Sequence, residues 1–284
     1  HATRHPEDER QLARWLAPLG LPIHTSAATS PGTIGEVERW TSCLAEAGLA
    51  RELGGYTARL EASLADLWLM QSAGGICRPT AAVARPLTTL LSGPAGGVEG
   101  ACSVAAAHGL DRILAFDMGG TSTDVCACEG SPRPAPDRAQ VTVLEGREWT
   151  VPSLEISSIG CGGGSIALVD PGGLLQVGPA SAGADPGPAA YGRGAKPTVT
   201  DAHVHLGRVA QGLFAGGMTL DPSRVEAAIT PLARKLGVSV DCAAAGILAV
   251  AEAGMEGALR SATTARGRDP RDFTLVAYGG AGPL

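Results

Sequence analysis

One stretch limits what this chain can fold into more than any other: residues 113–128, Ile-Leu-Ala-Phe-Asp-Met-Gly-Gly-Thr-Ser-Thr-Asp-Val-Cys-Ala-Cys. A short apolar run ends at Asp117, Gly119-Gly120 follows, then the hydroxyl-bearing Thr121-Ser122-Thr123, and an apolar run resumes after Asp124. That order predicts a strand, a tight turn and a second strand. Paired glycines admit positive φ and close approach of a ligand. The turn's N–H groups can then converge on phosphate oxygens while the hydroxyls donate further bonds. Asp117, at the carboxyl end of the first strand, is placed to hold Mg²⁺ or its water shell, because hard cations select carboxylate oxygen. A plain β-hairpin with a glycine turn has the same local pattern, so the rest of the chain must decide.

Several classes are excluded by composition. The basic residues number 22, of which only Lys196 and Lys235 are lysines, and neither is near the glycine turn. A lysine-dependent phosphate loop of the Walker type is therefore ruled out. A net charge of −6 argues against a nucleic-acid surface. Seven scattered cysteines do not form a disulfide framework and suit reduced thiols in the cytoplasm. Cys126 and Cys128 flank one residue of a predicted strand and share a face, but a metal there would need two more ligands that the sequence does not offer. No run approaches the roughly 18 apolar residues of a membrane span, and no signal peptide is visible.

Along the chain, Leu12, Trp15, Leu16 and Leu19 stand at helical spacing within Pro6 to Leu19, and Pro22 to Ser26 reads as a strand. Residues 35–49 and 57–69 predict two amphipathic helices separated by Gly54-Gly55, and Leu67 to Ser72 a buried strand leaving through Gly74-Gly75. Pro94 to Ala107 is a helix of small residues, which allow close backbone approach. Pro132, Pro134 and Pro136 mark an extended, exposed loop. Val141 to Val151 and Leu154 to Ile159 read as strands, followed by a second glycine turn, Gly160-Cys-Gly-Gly-Gly-Ser165.

From Val177 to Asp201 prolines and glycines prevail with little periodicity. A loop of this length inside a domain is uncommon without a function, so Asp185, Tyr191, Arg193 and Asp201 are expected to line a cleft. Asp201, His203 and His205 alternate, which on a strand gives either metal ligands or a polar face. Residues 222–236 and 242–264 predict amphipathic helices with core-facing stripes. Arg260 and Arg266 near the end of the second can reach a phosphate or stabilise the helix dipole. Thr274 to Tyr278 is expected as a buried strand delivering Gly279-Gly280-Ala-Gly282.

Four segments in one order carry a resemblance: Ser92-Gly-Pro-Ala-Gly-Gly-Val-Glu-Gly-Ala101; Phe116 to Val125; Val177 to Pro188 running on to Tyr191-Gly-Arg-Gly194 and Pro197-Thr-Val-Thr-Asp-Ala202; and Arg266 to Phe273 leading to Tyr278-Gly-Gly-Ala-Gly-Pro-Leu284. The second resembles the second phosphate loop of the actin, sugar kinase and heat-shock chaperone superfamily, and the set resembles the hydantoinase A / 5-oxoprolinase family. The chain departs from that family at Gly32 to Arg39, where an Arg-Glu-Tyr-Glu-Arg-like stretch is usual, and at Ala190, where Cys is frequent.

The resemblance implies an α/β chain of ribonuclease H-like, actin-type architecture, mostly the second lobe and cut at both ends. Residues 1–92 would be the trailing part of the first lobe, 93–109 an interlobe helix and 110–284 the second lobe. A preceding segment would carry the first phosphate loop. It implies an ATP-dependent amidohydrolase opening a cyclic amide such as a hydantoin or 5-oxoproline, working with a B-type subunit or fused domain. Alternatives are an ATP-dependent acetone or acetophenone carboxylase and a nucleotide-gated assembly protein. The expected roles are Asp117 for Mg²⁺, Gly119, Gly120, Thr121, Ser122 and Thr123 for phosphate, and Asp124 for orienting the turn or polarising water. Gly162 and Gly163 would wall the substrate or γ-phosphate, and Gly279, Gly280 and Gly282 would pack on adenosine.

Overall fold

The computed structural model describes residues 31–130, 139–144, 147–209 and 219–284, with side chains over 46–130, 151–209 and 219–284. The predicted helix at 6–19, the strand at 22–26 and the proline loop at 131–138 lie outside the described residues. The chain divides into two compact units, residues 1–93 with 138–153, and residues 94–137 with 154–284.

In the first unit, helix α1 runs unbroken from Pro31 to Glu61. The expected division at Gly54-Gly55 is absent. An interior glycine costs only about 1 kcal/mol relative to alanine, which the flanking hydrogen-bonded turns can carry. The expected buried strand at 67–72 is also corrected. Only Leu69–Met70 (β1) pairs, with Ile76–Cys77 (β2), and Trp68 is exposed with Arg78 stacked 3.9 Å from its ring centre. Helix α2 (Pro79–Ala84) follows. The expected strand at 141–151 is two antiparallel strands, β5 (Ala139–Leu144) and β6 (Arg147–Pro152).

The second unit is a mixed α/β layer around β3 (Arg112–Met118) and β4 (Thr123–Glu129). Its sheet has the order β10-β3-β4-β7, with β7 at Ser157–Ile159 and β10 at Thr274–Tyr278; β10 pairs parallel to β3 and the other pairs are antiparallel. Side chains alternate across the sheet. Ile113, Ala115, Cys126 and Cys128 face helix α3 (Ser92–Ala107) through Ala95, Val98, Ala101, Cys102 and Ala105. Phe116, Met118 and Val125 pack on the opposite face, against α4 (Val199–His205), α5 (Pro222–Leu236) and α6 (Val240–Ala262). The hairpin β8 (Ser165–Val169) and β9 (Leu175–Ser181) completes the unit.

One further expectation changes. Strand β10 lies at an edge of the sheet and Leu275 is 52 % exposed, so it is not a buried strand. The α6 segment through Arg266 is long and apolar enough to cross a membrane by length and composition. Its apolarity includes a packed stripe of Ala243, Ala244, Ile247, Leu248, Ala251, Ala258 and Ala262.

Candidate functional site

Three glycine turns meet at the carboxyl end of β3. The first, residues 119–122, is closed by the Gly119 N–H donating to the Ser122 carbonyl at 3.0 Å. Behind it lies the Gly160–Ser165 turn. There Gly163 N–H donates to Gly119 O at 3.0 Å, and Gly164 N–H donates to Gly120 O at 2.6 Å. In a trans peptide the C=O and the following N–H point in opposite directions. Pinning the carbonyls of Gly119 and Gly120 into the protein therefore turns the N–H groups of Gly120 and Thr121 away from it. Among the described residues, the N–H groups of Gly120, Thr121 and Ser122 have no hydrogen-bond acceptor. Gly120 and Thr121 are exposed.

This arrangement corrects two expectations. Neither Gly119 nor Gly120 takes a positive φ. A Cβ on Gly120 would meet nothing within 4 Å among the described residues, so the glycine leaves space on the outer side of the turn. Gly162 and Gly163 do not wall a ligand: both are buried, and their N–H groups are spent on Ser165 Oγ at 2.8 Å and Gly119 O. A Cβ on Gly162 would come within 2.9 Å of Thr121 N and 3.0 Å of Gly120 C. Gly162 lets one turn lie flat on the back of the other, and Gly163 makes room for the Thr200 hydroxyl and Ala281.

Thr123 also stands apart from a phosphate role, because it is fully buried and its hydroxyl donates to Cys161 O at 2.6 Å. It fastens the start of β4 to the bracing turn. Thr121 is exposed and Ser122 half-buried, and the Thr121 hydroxyl donates to Ser181 Oγ at 3.4 Å.

The third turn, Gly279–Gly282, packs on the opposite flank, with Ala281 N–H donating to Met118 O at 2.8 Å. Gly279 has φ +90° and lies on the Asp117 carboxylate and the Met118 carbonyl, leaving no room for a Cβ. Gly282 is crowded by the backbone of Tyr278, whereas Gly280 faces open space. Of the three, only Gly280 has a face free for a ligand.

Asp117 and Asp124 occupy paired positions on β3 and β4, and Tyr278 pairs with Asp117 from the other side. Strand alternation puts all three on the α3 face, where the Tyr278 ring covers Gly97 so closely that a Cβ there would sit 2.8 Å from the ring. Burial, followed by the neighbouring Asp124 carboxylate, raises the Asp117 pKa. Burial and then Asp117 push the Tyr278 phenol well up. Ser158 donates its hydroxyl to Asp124 Oδ1. Among the described residues neither aspartate has an ion-pair partner. Two adjacent carboxylates with no protein cation, and no third acidic or imidazole ligand among the described residues, fit Mg²⁺, which keeps waters and binds through one or two carboxylates plus phosphate oxygens. The unspent N–H row beside them fits a phosphate.

The Asp201, His203, His205 alternation lies on a helix, not on a strand, and gathers no metal site among the described residues. Thr198-Val-Thr-Asp201 is a capping box, a signal present in the sequence. The Asp201 carboxylate is fully buried and accepts the N–H groups of Ala189 at 3.1 Å, Ala190 at 2.8 Å and Thr198 at 2.9 Å, plus the Thr198 hydroxyl at 2.8 Å. It builds the loop and does not line a cleft. His205 pairs with Asp241 at 2.7 Å, and exposed Asp185 and Arg193 pair at 3.1 Å. Arg266 forms an ion pair with Glu155 at 2.9 Å. Cys126 and Cys128 share a face as expected, with sulfurs 3.9 Å apart. Sequence reasoning missed Gly164, Ser158 and Ser181; no local pattern singles out partners that arrive from other strands.

Comparison with known proteins adds the following. The family model for hydantoinase/oxoprolinase matches residues 39–284. The chain is 37 % identical to the caprolactamase alpha subunit of Pseudomonas jessenii, over 87 % of this chain and 36 % of that one. The crystal structure of the ATP-dependent caprolactamase from that organism superposes with a TM-score of 0.69 at 36 % identity, covering 81 % of this chain and 34 % of that one. Identity to the 5-oxoprolinase PfmaA of Pestalotiopsis fici is 36 %, over 99 % of this chain and 23 % of the relative. A nucleotide-free acetone carboxylase structure matches with a TM-score of 0.65 at 31 % identity, covering 77 % of this chain and 31 % of that one. The chain thus spans well under half the length of these relatives.

Proposed function

Because the chain belongs to the hydantoinase/oxoprolinase family, we propose that the carboxyl end of β3 is a Mg-ATP site in a protein that opens a cyclic amide at the expense of ATP. The observation that carries this reading is the braced turn, with the N–H groups of Gly120, Thr121 and Ser122 unspent beside the Asp117–Asp124 pair. In this reading Asp117 and Asp124 hold Mg²⁺, Ser158 keeps Asp124 oriented, and the N–H row and the Ser122 hydroxyl receive phosphate oxygens. Gly280 gives a flat surface for the adenosine. When bound, ATP supplies an electrophilic phosphoryl group that activates the amide carbonyl oxygen and couples ring opening to nucleotide hydrolysis. The chain's own contribution is positioning and charge neutralisation, which together account for most of the rate enhancement in phosphoryl transfer.

A sheet of three antiparallel strands with a fourth parallel to the first, helices on both faces, agrees with an actin-type lobe. On that reading residues 110–284 are the second lobe, 93–109 the connecting helix and 1–92 the end of the first lobe. The caprolactamase relative is named as a subunit, and a partner subunit or fused domain that completes the substrate site is part of the proposal, as is a cytoplasmic location. The acetone carboxylase likeness favours a second reading, in which the same Mg-ATP site activates a ketone oxygen for carboxylation.

Phosphate release from Mg-ATP by the full-length protein with its partner separates these readings. Caprolactam, 5-oxoproline, hydantoin, and acetone with bicarbonate are added in turn, beside Asp117→Ala. Stimulation by one cyclic amide, lost in the variant, supports the amidohydrolase; bicarbonate-dependent stimulation by acetone supports the carboxylase. Hydrolysis indifferent to every addition moves the assignment to an assembly protein, and no hydrolysis or binding of Mg-ATP overturns the site.

A further inference from the structure

Ser181, the last residue of β9, has no part in the three glycine turns yet touches the front one directly. Its hydroxyl donates to Gly120 O at 3.4 Å, accepts the Thr121 hydroxyl at 3.4 Å and accepts the Gly183 N–H at 3.1 Å. The next residue, Ala182, donates its N–H to Gly164 O at 2.8 Å. Segment 182–198 therefore starts from both the front turn and its brace. Its far end returns to the brace, since Thr200 donates through its N–H and its hydroxyl to Gly163 O at 2.8 Å each. A carbonyl held by one donor leaves the peptide plane free to rock about that bond. A second donor from another element removes the freedom, and Gly120 O has two, Gly164 N–H and Ser181 Oγ.

We propose that Ser181 is a positioning residue of the nucleotide site: it locks the Gly120–Thr121 peptide in the orientation that turns its N–H to phosphate, and so ties segment 182–198 to nucleotide binding. The proposal rests on the Mg-ATP reading above. It requires that the Ser181 hydroxyl act through the turn, so removing it weakens binding while the chemical step persists.

The test uses the full-length protein with its copurifying subunits, as wild type, Ser181→Ala and Ser181→Thr. KM for Mg-ATP and kcat are read from phosphate release, and melting temperature is read with and without Mg-ATP. The expected result for Ser181→Ala is a KM raised about three- to tenfold with kcat within about twofold, the loss of one modest hydrogen-bond contribution. The melting temperature without nucleotide stays unchanged and the Mg-ATP-induced rise shrinks; Ser181→Thr, which keeps a hydroxyl, restores both. A KM within about twofold of wild type overturns the proposal. So does a KM increase accompanied by a lower melting temperature without nucleotide, or one that threonine does not rescue, since either marks a structural residue. A wild type that neither hydrolyses Mg-ATP nor is stabilised by it overturns the site reading itself, and is distinguished because the unmutated protein fails.

Discussion

Gly164 donates its N–H to the carbonyl of Gly120 at 2.6 Å, so that one glycine turn holds another from behind. The bond divides the glycines of this region into two kinds. Gly162 and Gly164 of the bracing turn are small because the backbone of the front turn presses on them, whereas Gly120 is small although the described residues make no demand on its space.

That division predicts opposite behaviour for two alanine substitutions. Gly162→Ala drives a methyl to within 2.9 Å of Thr121 N and should destabilise the protein by about 1–3 kcal/mol, seen as a lower melting temperature. Gly120→Ala meets no atom of the described residues within 4 Å, so melting should be unchanged or slightly raised. Binding of Mg-ATP, measured by calorimetry, should nevertheless weaken at least tenfold in Gly120→Ala. Equal destabilisation by both substitutions would contradict the division.

The paired carboxylates lead to a prediction about Mg²⁺. Asp117→Asn should lower ATP turnover by about 100-fold or more, because it removes a charge that positions the ion where negative charge gathers. The same change should leave melting in metal-free buffer unchanged or higher, since it relieves repulsion from Asp124. Added Mg²⁺ should raise the melting temperature of wild type more than that of the variant. An equal shift in both would remove Asp117 from the metal.

Asp201 is expected to matter for stability first. Its carboxylate accepts four donors in a fully buried site, and asparagine offers one acceptor oxygen and brings its own N–H groups. Asp201→Asn should cost about 2–3 kcal/mol, measured by chemical denaturation. A loss under about 0.5 kcal/mol would show that the loop around residues 189–198 does not depend on this anchor.

His203 supplies a pH dependence. It is 5 % exposed, its Nδ1 has no hydrogen-bond partner among the described residues, and burial lowers its pKa, with Arg208 adding to the effect and Glu252 opposing it. The neutral ring is therefore the folded form. Its contribution to stability is intact above the ordinary imidazole value of about 6.5, where both states are unprotonated. As pH falls below that value the unfolded chain takes the proton first, and stability declines until the pH passes the lower folded value. His203→Leu should flatten the fall in melting temperature between about pH 7 and pH 5 without a large loss at pH 7. An unchanged slope would assign the acid sensitivity to other groups.

Much of the site is legible without the fold, though unevenly. The strand–turn–strand at 113–128 shows itself through two apolar runs divided by glycines, and α5 is marked at both ends by Asp221-Pro222 and Gly237. Gly54-Gly55 reads as a break yet lies inside α1, because two interior glycines weigh little against a long hydrogen-bonded ladder. At residues 199–205 the alternation of Asp201, His203 and His205 suggests a strand, and the Thr198–Asp201 capping box, which starts a helix, prevails.

The sequence by itself determined the family motifs, the strand that ends in Asp117 and the amphipathic helices, because periodicity and turn residues act over a few neighbouring positions. Only the tertiary structure decided which glycines face outward, that Asp117, Asp124 and Tyr278 share one face, and that Ser181 reaches the turn. These depend on strand register and on hydrogen bonds between peptides some forty to sixty residues apart. No local spacing encodes such pairings, since the same glycine can serve a ligand, a turn or a neighbouring backbone until its surroundings are in place.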